Sequence, residues 1–542
     1  MADVEMRGAQ HIAKALQDHH IQVVFSLSGN QIMPVYDALF DTRIRVVHTR
    51  HEGAAVYMAE AAAQTTGTVA IALLTAAPGF ANGLSAIYAA RESETPLLVL
   101  SGDAPSARDG RGAFQELDQC AAAAPLAKAS FRATHAAGLY EDIARALKLA
   151  QSGRPGPVHL ALPDDILRQS AVADAAASAL PPLPSQQAAP AALLREIRAA
   201  LENSRAPLLL AGPVFCRPSW KTRIRKLSGH LNVPAVSFES PRGLKAPRLG
   251  AFAEASGEAD LVVTFGKPLD FMIGFGDPPA LNDICKIIQL DADPAVLARD
   301  AKVHHSRSLR QHCVLPDLVI KELLQGPATV TASTSWRESI ESALAYRPSS
   351  WDHPPAASTI NSLTFAKAIR TFMSSRPDAT LIIDGGEIGQ WSQALVDADV
   401  AIINGPSGAI GASLPYAAGA HLARPNHDVI TIMGDGTAGF YMAEFETAVR
   451  ENTPFVAVIG NDARWNAEYQ IQVRDYGTAR AFGCDLTPAR YDRVAAELGG
   501  YGEYVTEATN ILPALERALA SGKPSCVNVM MEGQAAPVLS RR

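Results

Sequence analysis

Short runs of apolar, mainly β-branched residues recur along the chain and alternate with longer segments of helical spacing. The apolar runs are continuous rather than alternating, which is typical of strands covered on both faces and therefore of parallel sheets. Strands that alternate with helices predict an α/β fold of doubly wound parallel-sheet domains, in which ligands bind beyond the carboxyl ends of the strands. The predicted strands cover residues 45–49, 69–75, 96–102, 157–163, 207–212, 259–266, 285–291, 379–386, 428–436, 454–462 and 525–531.

Two stretches interrupt this pattern. Residues 171–192 and 346–357 are rich in Ala, Pro and Ser and lack periodic apolar spacing, so we interpret them as linkers. They predict three domains, over residues 1–170, 193–345 and 358–542, and each has an ordinary size for a single domain.

Composition and charge exclude several classes of protein. The chain has 542 residues, of which 48% are hydrophobic and 19% charged, and its net charge is −7. Its Lys and Arg residues are scattered, so no nucleic-acid partner is expected. We see no apolar stretch of about 18 residues and no leader-like N-terminus, so neither a membrane span nor a signal peptide is expected. Six separated cysteines without a CxxC pair exclude a zinc ribbon and are typical of free thiols in the cytoplasm.

Two acidic residues end consecutive predicted strands of the third block. Asp435 lies in Gly-Asp-Gly (434–436), and Asp462 follows 27 residues later, after a predicted helix over residues 439–450. One strand–helix–strand crossover would place both carboxylates at neighbouring strand ends. Two carboxylates with open backbone around them suit a magnesium ion that also binds phosphate oxygens, and Gly436 would let the backbone approach a phosphate.

This Gly-Asp-Gly, the length of the gap and the Asn-Asp at its end resemble the cofactor signature of thiamine-diphosphate-dependent enzymes. The resemblance covers nearly the whole chain and is strongest to the branch that holds acetolactate synthase, benzaldehyde lyase, oxalyl-CoA decarboxylase and 2-hydroxyacyl-CoA lyase. It implies a pyrimidine-binding domain, then a central domain, then a diphosphate-binding domain. It also implies that Mg2+ is held by Asp435, Asp462 and the backbone carbonyl of Arg464.

The resemblance assigns further residues of the third block to the cofactor. Ile410, in the glycine-rich tract that includes Gly408, would support the bent cofactor from below. Further loops around it are implied at Asp384, Gly385, Gly386, Glu387, Gly436 and Thr437. The segment after the metal loop, where relatives place residues that face the cofactor and the substrate, contains Trp465, Asn466, Ala467 and Ile471.

Glu52 lies where a predicted strand ends and a helix begins, a place where its charge alone would stabilise the helix N-terminus. In the resembling family an acid at this position bonds to N1′ of the cofactor's pyrimidine and turns the cofactor's own amino group into a base. Gln31, Gln115 and the tract 78–82 match active-site loops of the same domain. A glutamine such as Gln115 could donate a hydrogen bond to an oxyanion that develops on the substrate.

The implied activity is that of a thiamine-diphosphate- and Mg2+-dependent lyase or transferase that makes or breaks a carbon–carbon bond in small-molecule carbonyl substrates. An acetolactate-synthase-like carboligase or decarboxylase of a 2-keto acid, or an acyloin lyase, is expected. A 2-hydroxyacyl-CoA lyase or an oxalyl-CoA decarboxylase-type enzyme is an alternative. A catalytically silent regulatory paralogue is a third possibility, although Glu52, Asp435 and Asp462 are all present.

The resemblance also bears on assembly and on other cofactors. The first block of one subunit is expected to meet the third block of another, so active sites would lie at the interface of a homodimer or of a dimer of dimers, a homotetramer. FAD is not expected, because the chain leaves little room for a flavin-binding loop between residues 241 and 259. Lys267 stands where the acyl-CoA relatives often have arginine, which argues against ADP. A nicotinamide- or flavin-dependent oxidoreductase would need a GxGxxG after a strand, and the sequence has none.

Overall fold

The computed structural model describes residues 5–181, 188–303, 308–328, 333–352 and 359–541. Three parallel β-sheets flanked by helices follow one another along these residues, which confirms the predicted α/β fold class. Residues 182–187 and 353–357 of the two predicted linkers lie outside the described residues.

The first sheet is built from six parallel strands. They are β2 (Val23–Ser26), β3 (Arg45–His48), β4 (Ala70–Leu74), β5 (Leu97–Asp103), β6 (Ala129–Arg132) and β7 (Pro157–Pro163), in the spatial order β3-β2-β4-β5-β7-β6. The helices of this block are α1 (Gly8–Asp18), α2 (Met33–Phe40), α3 (Glu52–Thr66), α4 (Pro78–Glu92), α5 (Gln119–Ala123), α6 (Leu139–Gln151) and α7 (Asp164–Arg168). Two short antiparallel strands, β1 (Met6–Arg7) and β8 (Ser170–Ala171), pair beside it.

The central sheet has five parallel strands. They are β9 (Pro207–Ala211), β10 (Ala235–Ser237), β11 (Leu261–Phe265), β12 (Lys286–Asp291) and β13 (Leu309–Cys313), in the order β10-β9-β11-β12-β13. Its helices are α8 (Ala191–Glu202), α9 (Pro218–Leu231), α10 (Phe252–Ala255), α11 (Pro294–Val303), α12 (Pro316–Gln325) and α13 (Thr334–Ala345).

The third sheet again has six parallel strands. They are β14 (Thr380–Ile383), β15 (Val400–Ile403), β16 (Val429–Gly434), β17 (Val456–Asn461), β18 (Tyr501–Val505) and β19 (Ser525–Met530), in the order β15-β14-β16-β17-β19-β18. Its helices are α14 (Ser362–Ser374), α15 (Gly386–Leu395), α16 (Ser413–Ala423), α17 (Asp435–Ala438), α18 (Glu444–Arg450), α19 (Asn466–Tyr476), α20 (Tyr491–Glu497) and α21 (Ile511–Ala520).

All the predicted strands are present, with ends that differ by no more than three residues. The helix predicted over residues 439–450 is wrong at its start. Residues 435–438 form the separate short helix α17, and the continuous helix α18 begins only at Glu444. Tyr441, between the two helices, packs edge-on against the rings of His51 and Tyr57 in the first block, so the chain turns there instead of continuing as a helix.

Helix α3 of the first block packs against α16 of the third block, and one apolar core contains residues of both. Glu60 is fully buried in this contact. Tyr416 Oη donates a hydrogen bond to its Oε2 at 2.7 Å, and Gln64 Nε2 donates to its Oε1 at 2.9 Å. Burial raises the pKa of Glu60 to about 7, because the charged form is poorly solvated there.

The raised pKa of Glu60 makes stability depend on pH. The contribution of its neutral carboxyl is present below the pKa of the unfolded chain and is lost as the pH rises through about 7. We therefore expect the thermal midpoint of Glu60→Gln, measured relative to the wild type, to rise by roughly 2–6 °C between pH 5.5 and pH 8. Differential scanning calorimetry at the two pH values measures this change, and an unchanged difference would contradict a raised pKa at Glu60.

Candidate active site

A cavity of about 330 Å³ opens in the third block, where the loops after β14, β16 and β17 meet. Eleven residues to which the resemblance gave a metal or cofactor role line it: Gly386, Glu387, Gly408, Ile410, Asp435, Gly436, Thr437, Asp462, Arg464, Asn466 and Ala467. Trp465 lines it too. Ile471, on α19, is 45% exposed and is not part of the lining among the described residues.

The two predicted metal ligands face each other in this cavity. Strands β16 and β17 are neighbours, with Gly434 paired to Gly460, so Asp435 and Asp462 emerge side by side. Burial raises the pKa of Asp435 to about 6. Burial, together with the nearby charge of Asp435, raises the pKa of Asp462 to about 7.

A divalent cation fits this pair of carboxyl groups. Asp435 Oδ2 is buried and has no hydrogen-bond partner among the described residues. An unpaired buried carboxylate oxygen beside a second acid is costly unless a cation compensates both charges. Within the described ranges, no group of three or more His, Cys, Asp or Glu side chains could hold a metal ion, so main-chain or ligand oxygens would have to complete the coordination.

The loop that carries Gly408 and Ile410 is held by Asp384. This fully enclosed side chain accepts hydrogen bonds from the backbone N–H of Gly411 at 3.1 Å and of Ser413 at 3.2 Å. The predicted cofactor loop at Asp384 therefore acts through its hydrogen bonds to the neighbouring loop. Gly436 is also constrained by Trp465, since an added Cβ would lie 2.7 Å from ring carbons of that side chain.

Glu52, Gln31 and Gln115 lie elsewhere, at the carboxyl ends of the strands of the first sheet, and none of these three described residues lines the cavity. Glu52 is the first residue of α3 and is 9% exposed. Asn82 Nδ2 donates a hydrogen bond to Glu52 Oε2 at 2.9 Å.

The two glutamines form one hydrogen-bonded chain beside Glu52. Gln31 Nε2 donates to Gln115 Oε1 at 2.7 Å, and Thr75 Oγ1 donates to Gln31 Oε1 at 3.0 Å. Gly79 connects this chain to Glu52, because an added Cβ would lie 2.5 Å from Thr75 Cγ2 and 3.1 Å from Glu52 Oε1. Each polypeptide chain thus contains two separate sites. One is the cavity of the third block, and the other, called the Glu52 group, is the cluster of Glu52, Asn82, Gln31, Thr75 and Gln115 in the first block.

The sequence analysis missed lining residues from two other places. Ser240, Pro241 and Arg242 follow the edge strand β10 of the central sheet, and the remaining ones, from the third block, are Ile388, Gln390, Gln393, Asn404 and Glu468. The charge of Arg242 partly opposes the rise that burial causes in the pKa of Glu387. A Ser-Pro-Arg-Gly turn after a strand could have indicated these residues, but β10 itself was not predicted.

A glycine-lined cavity and paired strand-end acids in a doubly wound α/β chain are typical of enzymes that bind a diphosphate-bearing cofactor through a divalent metal. Comparison of the sequence with known protein families supports this class. Residues 6–122 match the profile described as thiamine pyrophosphate enzyme, N-terminal TPP binding domain, and residues 384–529 match the corresponding C-terminal TPP binding domain.

Relatives match over almost the full length. The chain is 31% identical over 544 residues to the acetolactate synthase large subunit IlvG of Mycobacterium tuberculosis, which covers 98% of this chain and 97% of the relative. It is 27% identical over 572 residues to 2-hydroxyacyl-CoA lyase 2 of Homo sapiens, with 97% and 90% covered.

Among solved structures, the Rhodococcus jostii RHA1 thiamine diphosphate-dependent 4-hydroxybenzoylformate decarboxylase shares the fold, with a TM-score of 0.82 at 20% identity over 98% of this chain and 100% of that one. This chain therefore belongs to the thiamine pyrophosphate enzyme family. The resemblance and the thiamine-diphosphate-dependent class of lyase or transferase are confirmed. None of the helices in the described ranges is both long and apolar enough to cross a membrane.

The electrostatics of the carboxyl pair give a test that needs no substrate. Asp435→Asn removes one of two charges that repel each other, so the protein without cofactor should gain roughly 1–2 kcal/mol of stability at pH 8. The same change should abolish the thermal stabilisation that thiamine diphosphate and Mg2+ give together. Thermal melts with and without the two ligands measure both effects. Asp475→Asn, on the exposed face of α19, is the control, and a full ligand-dependent shift in Asp435→Asn would contradict a metal role for Asp435.

Proposed function

We propose that the protein is a thiamine-diphosphate- and Mg2+-dependent enzyme that forms or cleaves a carbon–carbon bond next to a carbonyl. Its substrates are small carbonyl compounds: either a 2-keto acid is the donor in an acetolactate-synthase-like reaction, or an acyloin is cleaved in a benzaldehyde-lyase-like reaction. The observation that carries this proposal is the buried Asp435–Asp462 pair within a cavity that most of the expected cofactor residues of the third block line.

In this proposal Mg2+ is held by the carboxylates of Asp435 and Asp462 and by the backbone carbonyl of Arg464. The diphosphate would lie against the N-terminus of α15, which begins at Gly386 beside the cavity and presents backbone N–H groups that no earlier turn can bond. Ile410 would support the cofactor from the loop that Asp384 holds.

When bound, thiamine diphosphate supplies a carbon nucleophile that adds to a carbonyl and takes up the electrons of the breaking bond. Glu52 would share a proton with the pyrimidine nitrogen N1′, and this contact makes the cofactor's amino group basic. Asn82 engages Glu52 Oε2, so Oε1 is the oxygen proposed for the proton. Gln115, oriented by Gln31, would donate a hydrogen bond to the substrate oxygen.

We propose further that the spans 1–170, 193–345 and 358–542 are the pyrimidine-binding, central and diphosphate-binding domains; the three large sheets, one within each span, support this division. The Glu52 group and the cavity are separate in one chain, which supports a site completed between two subunits of a homodimer or dimer of dimers. Phe114 is 74% exposed beside Gln115, and Phe440 is 54% exposed beside the cavity, so each half presents an apolar side chain to a partner.

The crevice at the carboxyl ends of β9, β11 and β12 supports the proposal that no FAD or ADP is used. The cavity there is about 180 Å³, smaller than the usual size of a ligand site. Arg154 crosses it and forms ion pairs with Glu94 and Asp291. Lys267 is fully buried and pairs with Asp270 at 2.5 Å, so its charge is already compensated.

A CoA thioester is the second candidate substrate, because 2-hydroxyacyl-CoA lyase 2 of Homo sapiens matches 97% of this chain. The retained Glu52, Asp435 and Asp462 argue against a silent regulatory paralogue. A cytoplasmic location is consistent with the six cysteines, which all lie in the described ranges and form no disulfide bond there.

Proton NMR tests both the cofactor chemistry and the substrate. With wild-type protein, thiamine diphosphate and Mg2+ in D2O, the C2 proton of the bound cofactor should exchange rapidly. In Glu52→Gln the exchange rate should fall by about 100-fold or more, while bound cofactor stays near the wild-type amount. Glu497→Gln, an exposed change on α20, is the control. Near-wild-type exchange in Glu52→Gln would refute the role proposed for Glu52.

The same sample with added pyruvate reports the donor. Acetolactate or acetoin as product is expected if a 2-keto acid is used. Unchanged pyruvate, with cofactor bound and C2 exchange intact, would overturn the 2-keto-acid proposal and favour cleavage of an acyloin or a 2-hydroxyacyl-CoA.

A further inference from the structure

A second buried carboxyl group, from the third block, contacts the main chain just before Glu52. Glu444 is the first residue of α18 and is 2% exposed. Its Oε1 accepts a hydrogen bond from the backbone N–H of Arg50 at 3.1 Å, and its Oε2 lies 3.3 Å from the same nitrogen. Thr447 Oγ1 donates to its Oε2 at 2.7 Å.

The contact with Arg50 satisfies a backbone group that the first block leaves without an acceptor of its own. Residues 50 and 51 connect β3 to α3, and His51 has the extended conformation (φ −147°, ψ 141°) of a helix N-cap. Partly buried N–H groups in such a connection need an acceptor, since an unpaired one costs roughly 1–3 kcal/mol. Glu444 supplies this acceptor for Arg50, two residues before Glu52.

Tyr441, from the same segment, contacts the other side of this turn. Its ring lies edge-on to the ring of His51, with 5.4 Å between centroids. Its hydroxyl group lies 2.5 Å from where a Cβ on Gly53 would be, so it packs directly on the first turn of α3. The residues on both sides of Glu52 are therefore held by the segment 441–444 of the third block.

The first block supports the turn as well, because the N–H of Thr49 donates to Ser26 O at 2.9 Å and ties the start of the turn to β2. Thr49 Oγ1 donates to His51 O at 2.9 Å, and the N–H of Gly53 donates to His51 Nδ1 at 2.9 Å. These last two contacts shape the turn, but neither fixes the turn relative to the rest of the molecule. Burial raises the pKa of Glu444 to about 7, and the N–H groups of Arg50 and His51 oppose that rise because they favour the charged carboxylate.

We infer that Glu444 is a positioning residue: it holds the turn at Arg50 and His51 so that the carboxyl group of Glu52 stands where the cofactor's pyrimidine nitrogen requires it. This inference rests on the role proposed above for Glu52. Glu444 touches neither substrate nor cofactor and acts only through the main chain. A displacement of a catalytic group by about 1 Å can lower a rate by about 100-fold, so loss of this support affects chemistry more than binding.

The test compares three changes at Glu444. Glu444→Ala removes the acceptor, Glu444→Asp withdraws the carboxylate by one methylene, and Glu444→Gln keeps an oxygen at the same reach. The C2-proton exchange rate of bound thiamine diphosphate should fall roughly 10- to 100-fold in the Ala and Asp variants and by no more than about 3-fold in the Gln variant. The amount of cofactor and Mg2+ bound should stay near the wild-type value in all three.

Glu451→Gln is the matched control. Glu451, just beyond the end of α18, also pairs with the first block, through Arg45 at 2.8 Å, but it does not contact the Glu52 turn. We expect this variant to keep the wild-type exchange rate even if it loses stability.

The results distinguish failure of the positioning role of Glu444 from failure of the role proposed for Glu52. If Glu52→Gln slows exchange but folded Glu444→Ala and Glu444→Asp do not, the positioning role is overturned and the role of Glu52 stands. If Glu52→Gln leaves exchange unchanged, the role of Glu52 itself fails. Should Glu444→Ala not fold, the comparison of Asp with Gln decides, and equal exchange rates in these two variants would overturn the inference.

Discussion

The arrangement of this molecule depends on two carboxyl groups that a parallel sheet forces together. Strands β16 and β17 are adjacent and run in the same direction, so Asp435 and Asp462 leave the sheet at the same edge. Their raised pKa values, about 6 and 7, show that the protein alone does not solvate both charges well. The packing of α3 on α16 and the extensive burial of the sheet cores stabilise the fold and offset this electrostatic repulsion. A cation and a diphosphate group would convert that repulsion into binding free energy.

The same packing that supports the carboxyl pair separates it from Glu52. Helix α3 packs with its length against α16, and its first residue, Glu52, points to the edge of the first sheet near Asn82 and Gly79. Tyr441 and Glu444 of the third block contact the main chain around Glu52. Within one chain, Glu52 does not line the cavity of the third block. This separation supports the proposed site shared between subunits.

The local pattern of apolar residues predicted most of the inner strands, and most of the strands that it missed lie at sheet edges. The continuous apolar runs identified the inner strands, which are covered on both faces. Besides the short pair β1 and β8, six strands were missed. Five of them, including β10, β13 and β18, lie at sheet edges, and in Leu309–Cys313 polar residues interrupt the apolar run. The sixth, β2, is an inner strand of only four residues.

The residues of the candidate site also divide into those that the sequence indicated and those that it did not. Most of the proposed metal and cofactor residues of the third block could be named because they follow β14, β16 and β17, which the pattern predicts. Gly408 and Ile410 follow β15, which the pattern missed, and only the resemblance indicated them. Arg242 and Glu444 were not indicated, since their importance arises from packing between blocks far apart in sequence, and neither is part of a local motif. The sequence likewise could not show that Gly436 is enclosed by Trp465.

Complementation between two inactive variants tests the shared site most directly. Glu52→Gln and Asp435→Ala chains, coexpressed with different tags, give a mixed dimer that can be purified and assayed for thiamine-diphosphate binding and C2-proton exchange. If Glu52 of one chain serves the cavity of the other, each mixed dimer has one intact site, and about half of the wild-type exchange should return. A mixed dimer as inactive as its two parents would contradict this account, because every site would then combine Glu52 and Asp435 of the same chain.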